Sequence, residues 1–152
     1  MTKNDLFEYV VYKLDQWYKE THEGQTLQIT KLRLQKILFL LCAVNATKKE
    51  HGLLSIFDRF VALPLGPVEM DIYEAMKSNQ FNYIRFDGDD CRVGALDPAL
   101  FKAARLILDH TATFELKPVP RQTCHYFYYQ CYTKPPFHLT IRLRYLHSIR
   151  CK

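Results

Sequence analysis

Thr30-Lys31-Leu32-Arg33-Leu34-Gln35-Lys36-Ile37-Leu38-Phe39-Leu40-Leu41-Cys42-Ala43-Val44 is the stretch whose reading decides the fold class. Leu32, Leu34, Ile37, Leu38, Leu40, Leu41 and Val44 leave little polar surface beyond its first turn. A helix that is apolar on nearly all sides belongs at the centre of a core. The segment therefore reads as a central helix, opened by Thr30 as N-cap and running toward Gly52, with Leu38 and Leu41 buried. Its unbroken apolar run, residues 37–44, is far shorter than a bilayer crossing requires.

Elements on either side supply what such a helix needs for burial. Upstream, Leu6, Phe7, Val10, Val11, Leu14, Trp17 and Tyr18 recur at helical spacing, with Lys3, Asp5, Glu8, Lys13, Asp15, Lys19 and Glu20 on the opposite face. Asn4 is the expected N-cap of this first helix, and Gly24 suits its left-handed end. Downstream, Phe57, Arg59, Val61 and Leu63 form one face of an extended stretch, which Pro64-Leu65-Gly66-Pro67 interrupts. Pro67 fits the first position of a third helix, whose apolar side is Val68, Ile72, Tyr73 and Met76. An Asp87-Gly88 pair between strand-like runs predicts a β-hairpin with a type I′ turn. A fourth helix follows, with Asp97 as N-cap, Pro98 as first residue, and Leu96 and Phe101 at the positions of a hydrophobic staple. Its expected core face is Leu100, Ala103, Ala104 and Ile107. The order predicts a mainly helical α+β domain, a compact helical body with a small antiparallel β-hairpin or sheet.

The 152 residues divide by charge. All sixteen acidic residues lie in 1–116, against fourteen Lys and Arg, a balance of −2. Residues 117–152 carry seven Lys and Arg and no acid, a balance of +7. The expected organisation is a domain over 1–116 followed by a basic, aromatic-rich tail over 117–152 that is poorly ordered and proteolytically labile, since biased composition without a period gives no packed core. Five cysteines, an odd number without paired spacing, read as free thiols. The opening Met1-Thr2-Lys3-Asn4-Asp5 leads into an amphipathic pattern with no apolar signal core. These features together predict a cytoplasmic location.

Two motifs carry the functional reading. The first is Ile29-Thr30-Lys31-Leu32-Arg33-Leu34-Gln35-Lys36-Ile37-Leu38-Phe39; the second is Phe60-Val61-Ala62-Leu63-Pro64-Leu65-Gly66-Pro67-Val68-Glu69-Met70-Asp71-Ile72-Tyr73. In order and separation they resemble the Panacea (SocA-like) antitoxin family, over residues 5–116. That family has a leucine-Gln-Lys-leucine helix, then a Gly-Pro-Val turn entering a helix that carries a Tyr. The resemblance implies a bacterial or phage-associated protein that binds and neutralises a small toxin encoded nearby, in some members handing it to an ATP-dependent protease. It implies neither catalytic residues nor a cofactor. The partner-binding residues it suggests are Lys36, Gly66, Pro67, Val68, Glu69, Asp71 and Tyr73, with Glu69 and Asp71 presented at the exposed start of the third helix. The sequence departs from the family at Leu63 and Leu65, where aromatic residues are usual. It departs again after Leu116, where Lys117-Pro118-Val119-Pro120 replaces a Thr-His pair and a Trp-bearing helix.

Other groups admit two readings. Lys36 either snorkels to water while Gln35 caps a nearby backbone group, or the pair makes a polar contact that orients the Gly66-Pro67-Val68 loop. In the tail, Arg121, Lys134, Arg142, Arg144, Arg150 and Lys152 can meet phosphates while Tyr126, Phe127, Tyr128, Tyr129 and Tyr132 stack on bases. The alternative function is thus a phage or mobile-element protein that binds nucleic acid through its tail. Cys124, His125, Cys131 and His138 are too widely spaced for a zinc site. Asp87, Asp89 and Asp90 lack the later Glu of a calcium loop, so no metal is expected. His22, His51 and His110 sit near helix ends, where a cation is favourable.

Overall fold

The computed structural model describes residues 1–44, 46 and 51–111, and the tail expected over 117–152, with its candidate nucleic-acid and zinc residues, lies outside them. The described chain is a mainly helical α+β fold of four helices and two small antiparallel sheets. Its elements are α1 (Lys3–Thr21), α2 (Lys31–Val44), a 3₁₀ turn (Gly52–Ser55), β1 (Phe60–Leu63), β2 (Gly66–Glu69), α3 (Met70–Ser78), β3 (Ile84–Asp87), β4 (Asp90–Val93) and α4 (Pro98–Thr111). Among the described residues no helix is long and apolar enough to cross a membrane.

The core gathers Leu6, Phe7, Val10 and Val11 of α1, Leu34 and Leu38 of α2, Ile72 and Met76 of α3, and Ala104 and Leu108 of α4. Burial on α2 is less even than its composition predicts. Leu34, Leu38 and Cys42 are buried, Ile37 and Leu41 only half-buried, and Leu32 and Arg33 exposed. Leu41 is thus less deep than expected, and α2 closes at Val44 rather than near Gly52. On α4 the expected start holds: Asp97 Oδ1 accepts from the amides of Ala99 (2.8 Å) and Leu100 (3.1 Å), an N-cap with proline first in the helix. Ala104 and Ile107 turn inward as read, but Ala103 faces water and Leu108 takes the buried position.

The cap of α1 is Thr2, not Asn4. Its side chain accepts from the Asp5 amide while Asp5 accepts from the Thr2 amide, a reciprocal capping box. Two acids placed by helical spacing on the outer face of α1 are buried instead. Asp15 accepts from the Leu27 amide at 3.1 Å and pairs with Lys19 at 2.6 Å. Glu8 Oε1 accepts from the amides of Tyr83 (2.6 Å) and Ile84 (3.2 Å), capping the start of β3, while Oε2 has no hydrogen-bond partner among the described residues. Both acids serve backbone donors of segments that pack over that face.

Burial pushes the Glu8 carboxyl above the ordinary glutamate range, more than the amide donors of Tyr83 and Ile84 pull it down. A carboxyl whose folded pKa lies above its unfolded value of 4.5 supports folding below that value. That contribution is lost as pH rises through the folded pKa. Glu8→Gln keeps a carbonyl acceptor for both amides and cannot ionise. Its melting temperature relative to wild type should therefore climb between pH 4.5 and pH 8, as thermal melts across that range will read. A difference independent of pH would mean that Glu8 carries its charge in the folded protein at no cost.

The second hairpin is present but shifted by one residue. Asp87 pairs with Asp90, so Gly88-Asp89 occupy the turn, and of the two only Gly88 has positive φ (64°). Glycine first in the turn replaces the expected type I′ geometry, which needs positive φ at both central positions. All three aspartates there are exposed, and Asp87 meets Arg92 at 2.9 Å.

The larger correction concerns residues 60–69. Pro67 does not open a helix. It lies within β2, and β1 and β2 form an antiparallel hairpin with Phe60 opposite Glu69, Val61 opposite Val68, Ala62 opposite Pro67 and Leu63 opposite Gly66. Pro64 and Leu65 make the turn, and Gly66 closes it at φ +119°, a conformation glycine adopts readily. Helix α3 begins at Met70, with Glu69 as its N-cap.

Candidate functional site

The two motifs singled out in the sequence meet where α2, β2 and the start of α3 come together. Gln35, buried on α2, turns both ends of its amide to one residue of β2: Oε1 accepts from the Glu69 amide at 2.9 Å, and Nε2 donates to the Glu69 carbonyl at 3.4 Å. This is the contact between the leucine-Gln-Lys helix and the Gly-Pro-Val segment, and local capping by Gln35 is the reading it displaces. Lys36 is half-buried, and a Cβ built on Gly66 would lie 3.5 Å from its Cε. The aliphatic stem of Lys36 therefore runs under the start of β2.

Glu69 is fully buried, so the expectation that it faces solvent at an exposed helix start is overturned. Its carboxylate is fully engaged. Oε2 accepts from the Ile72 amide at 2.9 Å, capping α3, while Oε1 accepts from Lys3 Nζ at 2.8 Å and from the Arg59 amide at 3.3 Å. Lys3 also donates to Asp58 at 2.8 Å and to Asp71 at 2.6 Å, so its ammonium meets three carboxylates. Arg59 pairs with Asp71 as well. Burial works against the Lys3 charge, but the hydrogen bonds to Asp58, Asp71 and Glu69 outweigh it and hold the ammonium well above the ordinary lysine range. The same contact draws Asp58 and Asp71 below the usual aspartate range.

No family model matches the chain, and no curated protein or solved structure does.

The carboxylates of Asp58, Glu69 and Asp71 approach within 4.8 Å of one another, near enough to hold a cation. Lys3 Nζ is the cation they hold, which makes the cluster a clamp tying the start of α1 to β2 and α3. Of the residues read as partner-binding, Gly66, Pro67, Val68 and Glu69 are buried, Lys36 and Tyr73 half-buried, and Asp71 committed to Lys3 and Arg59. The Tyr73 ring carries the Lys77 ammonium 4.5 Å from its centroid. These residues support a surface more than they form one. What they support is the rest of the hairpin: Ala62, Leu63, Pro64 and Leu65 are exposed, Leu63 by 37% and Leu65 by 51%. Sequence reasoning did not find Lys3, Asp58 and Arg59, because each is an ordinary surface charge until the fold brings them together. The thiols of Cys42 and Cys91 are buried and free, and burial pushes Cys91 up to about 12 and Cys42 higher still, far from a reactive thiolate.

Proposed function

We propose that this chain is a cytoplasmic, antitoxin-like binding protein that neutralises a toxin encoded beside it by direct contact and without turnover. The observation that carries the reading is the Gln35–Glu69 contact. The helix motif and the Gly66-Pro67-Val68 motif, whose order and spacing resemble the Panacea family, are parts of one interlocked unit, as a shared functional element requires. The unit braces an uncharged hairpin tip, whose adjoining exposed residues Ala62, Leu63, Pro64 and Leu65 supply the apolar contact surface of this reading. Delivery of the bound toxin to an ATP-dependent protease is a further step of the same reading.

The test is co-expression with the product of the adjacent reading frame. Relief of its growth arrest by wild-type protein, lost in a Leu63→Asp, Leu65→Asp variant that still melts cooperatively, supports the proposal. A wild-type protein that gives no relief removes it. The charge split favours one second reading, nucleic-acid binding through the +7 segment, residues 117–152. Phosphate-driven binding falls steeply with salt, whereas a protein interface with an apolar centre weakens far less. Salt titration of any observed complex separates the two.

A further inference from the structure

Four strand edges flank the two hairpins, and three of them are blocked. On β4, residues 29–31 pair alongside. Thr30 bridges Asp90, the Cys91 amide donates to the Ile29 carbonyl at 3.0 Å, and the Lys31 amide donates to the Asp89 carbonyl at 3.0 Å. On β3, side chains occupy the edge. Glu8 takes the amides of Tyr83 and Ile84, and Asn79 takes the Phe86 amide at 3.1 Å. On β2, the register decides which groups point outward. The Met70 amide donates to the Arg59 carbonyl, so the bonded pairs of this ladder are Arg59 with Met70, Val61 with Val68, and Leu63 with Gly66, while Phe60–Glu69 and Ala62–Pro67 turn their backbone groups away from each other. The outward amides of β2 would be those of Pro67 and Glu69. Proline has none, and Gln35 takes both backbone groups of Glu69.

That leaves β1. By the same alternation the amides and carbonyls of Phe60 and Ala62 point outward, and among the described residues no hydrogen bond reaches them. Among the described residues nothing protects this edge in the ways sheets usually manage. It bears no lysine and no inward charge, no described strand covers it, and residues 60–68 are uncharged throughout. Its side chains are apolar on both faces, with Ala62 and Leu63 exposed.

We infer that the outer edge of β1 is a strand-docking site, which receives an extended, uncharged apolar segment of the partner protein as a third strand of the β1–β2 sheet. Main-chain hydrogen bonds to Phe60 and Ala62 supply affinity, and the apolar faces of β1 select the side chains, as in other β-augmentation complexes. A second copy of this chain is a poor occupant. Paired β1 strands offer four residues a side, against about 20–30 in a standard interface. The identity of the partner as a toxin rests on the antitoxin reading; the docking edge does not.

The ladder makes a selective test available. Ala62→Pro removes an outward N–H and leaves the hairpin's own bonds in place, because proline is tolerated on an edge whose N–H faces outward. Val61→Pro, by contrast, removes a bond of the ladder itself. The probe is a displayed library of random decapeptides, selected on the full chain. Enriched peptides with apolar residues at alternate positions, bound by wild type and by Ala62→Val but about tenfold or more weaker to Ala62→Pro with an unchanged melting temperature, are expected. Peptides that bind Ala62→Pro as well as wild type, or a library that yields none, would overturn the proposal. So would slow amide exchange at Ala62 in the isolated chain, either as a monomer, where residues 112–152 would be the occupant, or as a dimer, where a second copy would be. Peptide binding that depends on Ala62, together with toxin neutralisation that does not, would keep the docking edge and remove the toxin from it.

Discussion

Leu38→Ala is expected to lower the stability of the domain by about 2–5 kcal/mol, the range for emptying a leucine site in a packed core. Leu38 has no exposed surface and belongs to the buried core to which α1, α2, α3 and α4 all contribute. The same core cluster holds Phe7, Phe57 and Met76, and helices held on several sides cannot collapse far into a void. Leu41, one turn-face away and half-buried, should lose clearly less on the same substitution, since part of its surface is already in water. Urea titration checks both. The Leu38→Ala midpoint should fall well below that of Leu41→Ala with the slope preserved. Equal midpoints would mean that α2 is rotated from the orientation described.

Lys3→Met should cost about 3 kcal/mol, although the residue stands third in the chain and keeps part of its side chain in solvent. Methionine preserves most of the packing of the stem. The loss comes from the ammonium, which among the described residues is the one group that meets Asp58, Glu69 and Asp71 together. Removing one partner of a buried ion pair costs about 3–5 kcal/mol, because the remaining charge has no water to turn to, and Glu69 is fully buried. The lower end applies because the amides of Ile72 and Arg59 still reach the Glu69 carboxylate. The effect has a pH signature. Asp58 and Asp71 are held below their ordinary value of 3.8 in the folded protein, so their contribution is present above that pH and lost as pH falls through the folded values. The wild-type advantage over Lys3→Met should therefore be full at pH 7 and shrink below 3.8. Melts at the two pH values read this directly, and an advantage constant with pH would assign the loss to packing alone. For the same reason charge reversal at Glu69 probes folding, and exposed positions such as Leu63 and Leu65 are the ones that probe the proposed interface.

What the sequence made legible was local. The Asp97-Pro98 start of α4 and the Thr30 start of α2 use groups within three residues of one another, and both stand where the chemistry of capping puts them. The hairpin at Gly88 was visible for the same reason, but its register and its turn type differ from the expectation. The β1–β2 hairpin was not legible. Its Pro64-Leu65 turn lacks the Asn-Gly or Asp-Gly signal, and Pro67, which blocks the β2 edge, reads equally well as the first residue of a helix. Burial of Glu8 and Asp15 was hidden because helical spacing places them among charges, and the amides they serve come from Tyr83, Ile84 and Leu27. Within the site, Gln35 was recognisable as a polar group needing a partner. That its partner is the backbone of Glu69, 34 residues away, follows only from the packing of β2 on α2.

The most direct measurement of the central claim is calorimetric titration of the full chain with the purified product of the adjacent reading frame, at low and high salt. A saturable complex of fixed stoichiometry is expected, with heat that ends at saturation, affinity that changes little with salt, and loss of binding on Leu63→Asp with Leu65→Asp. Absence of binding by the folded wild-type chain, or heat that continues past saturation as substrate is consumed, would contradict it.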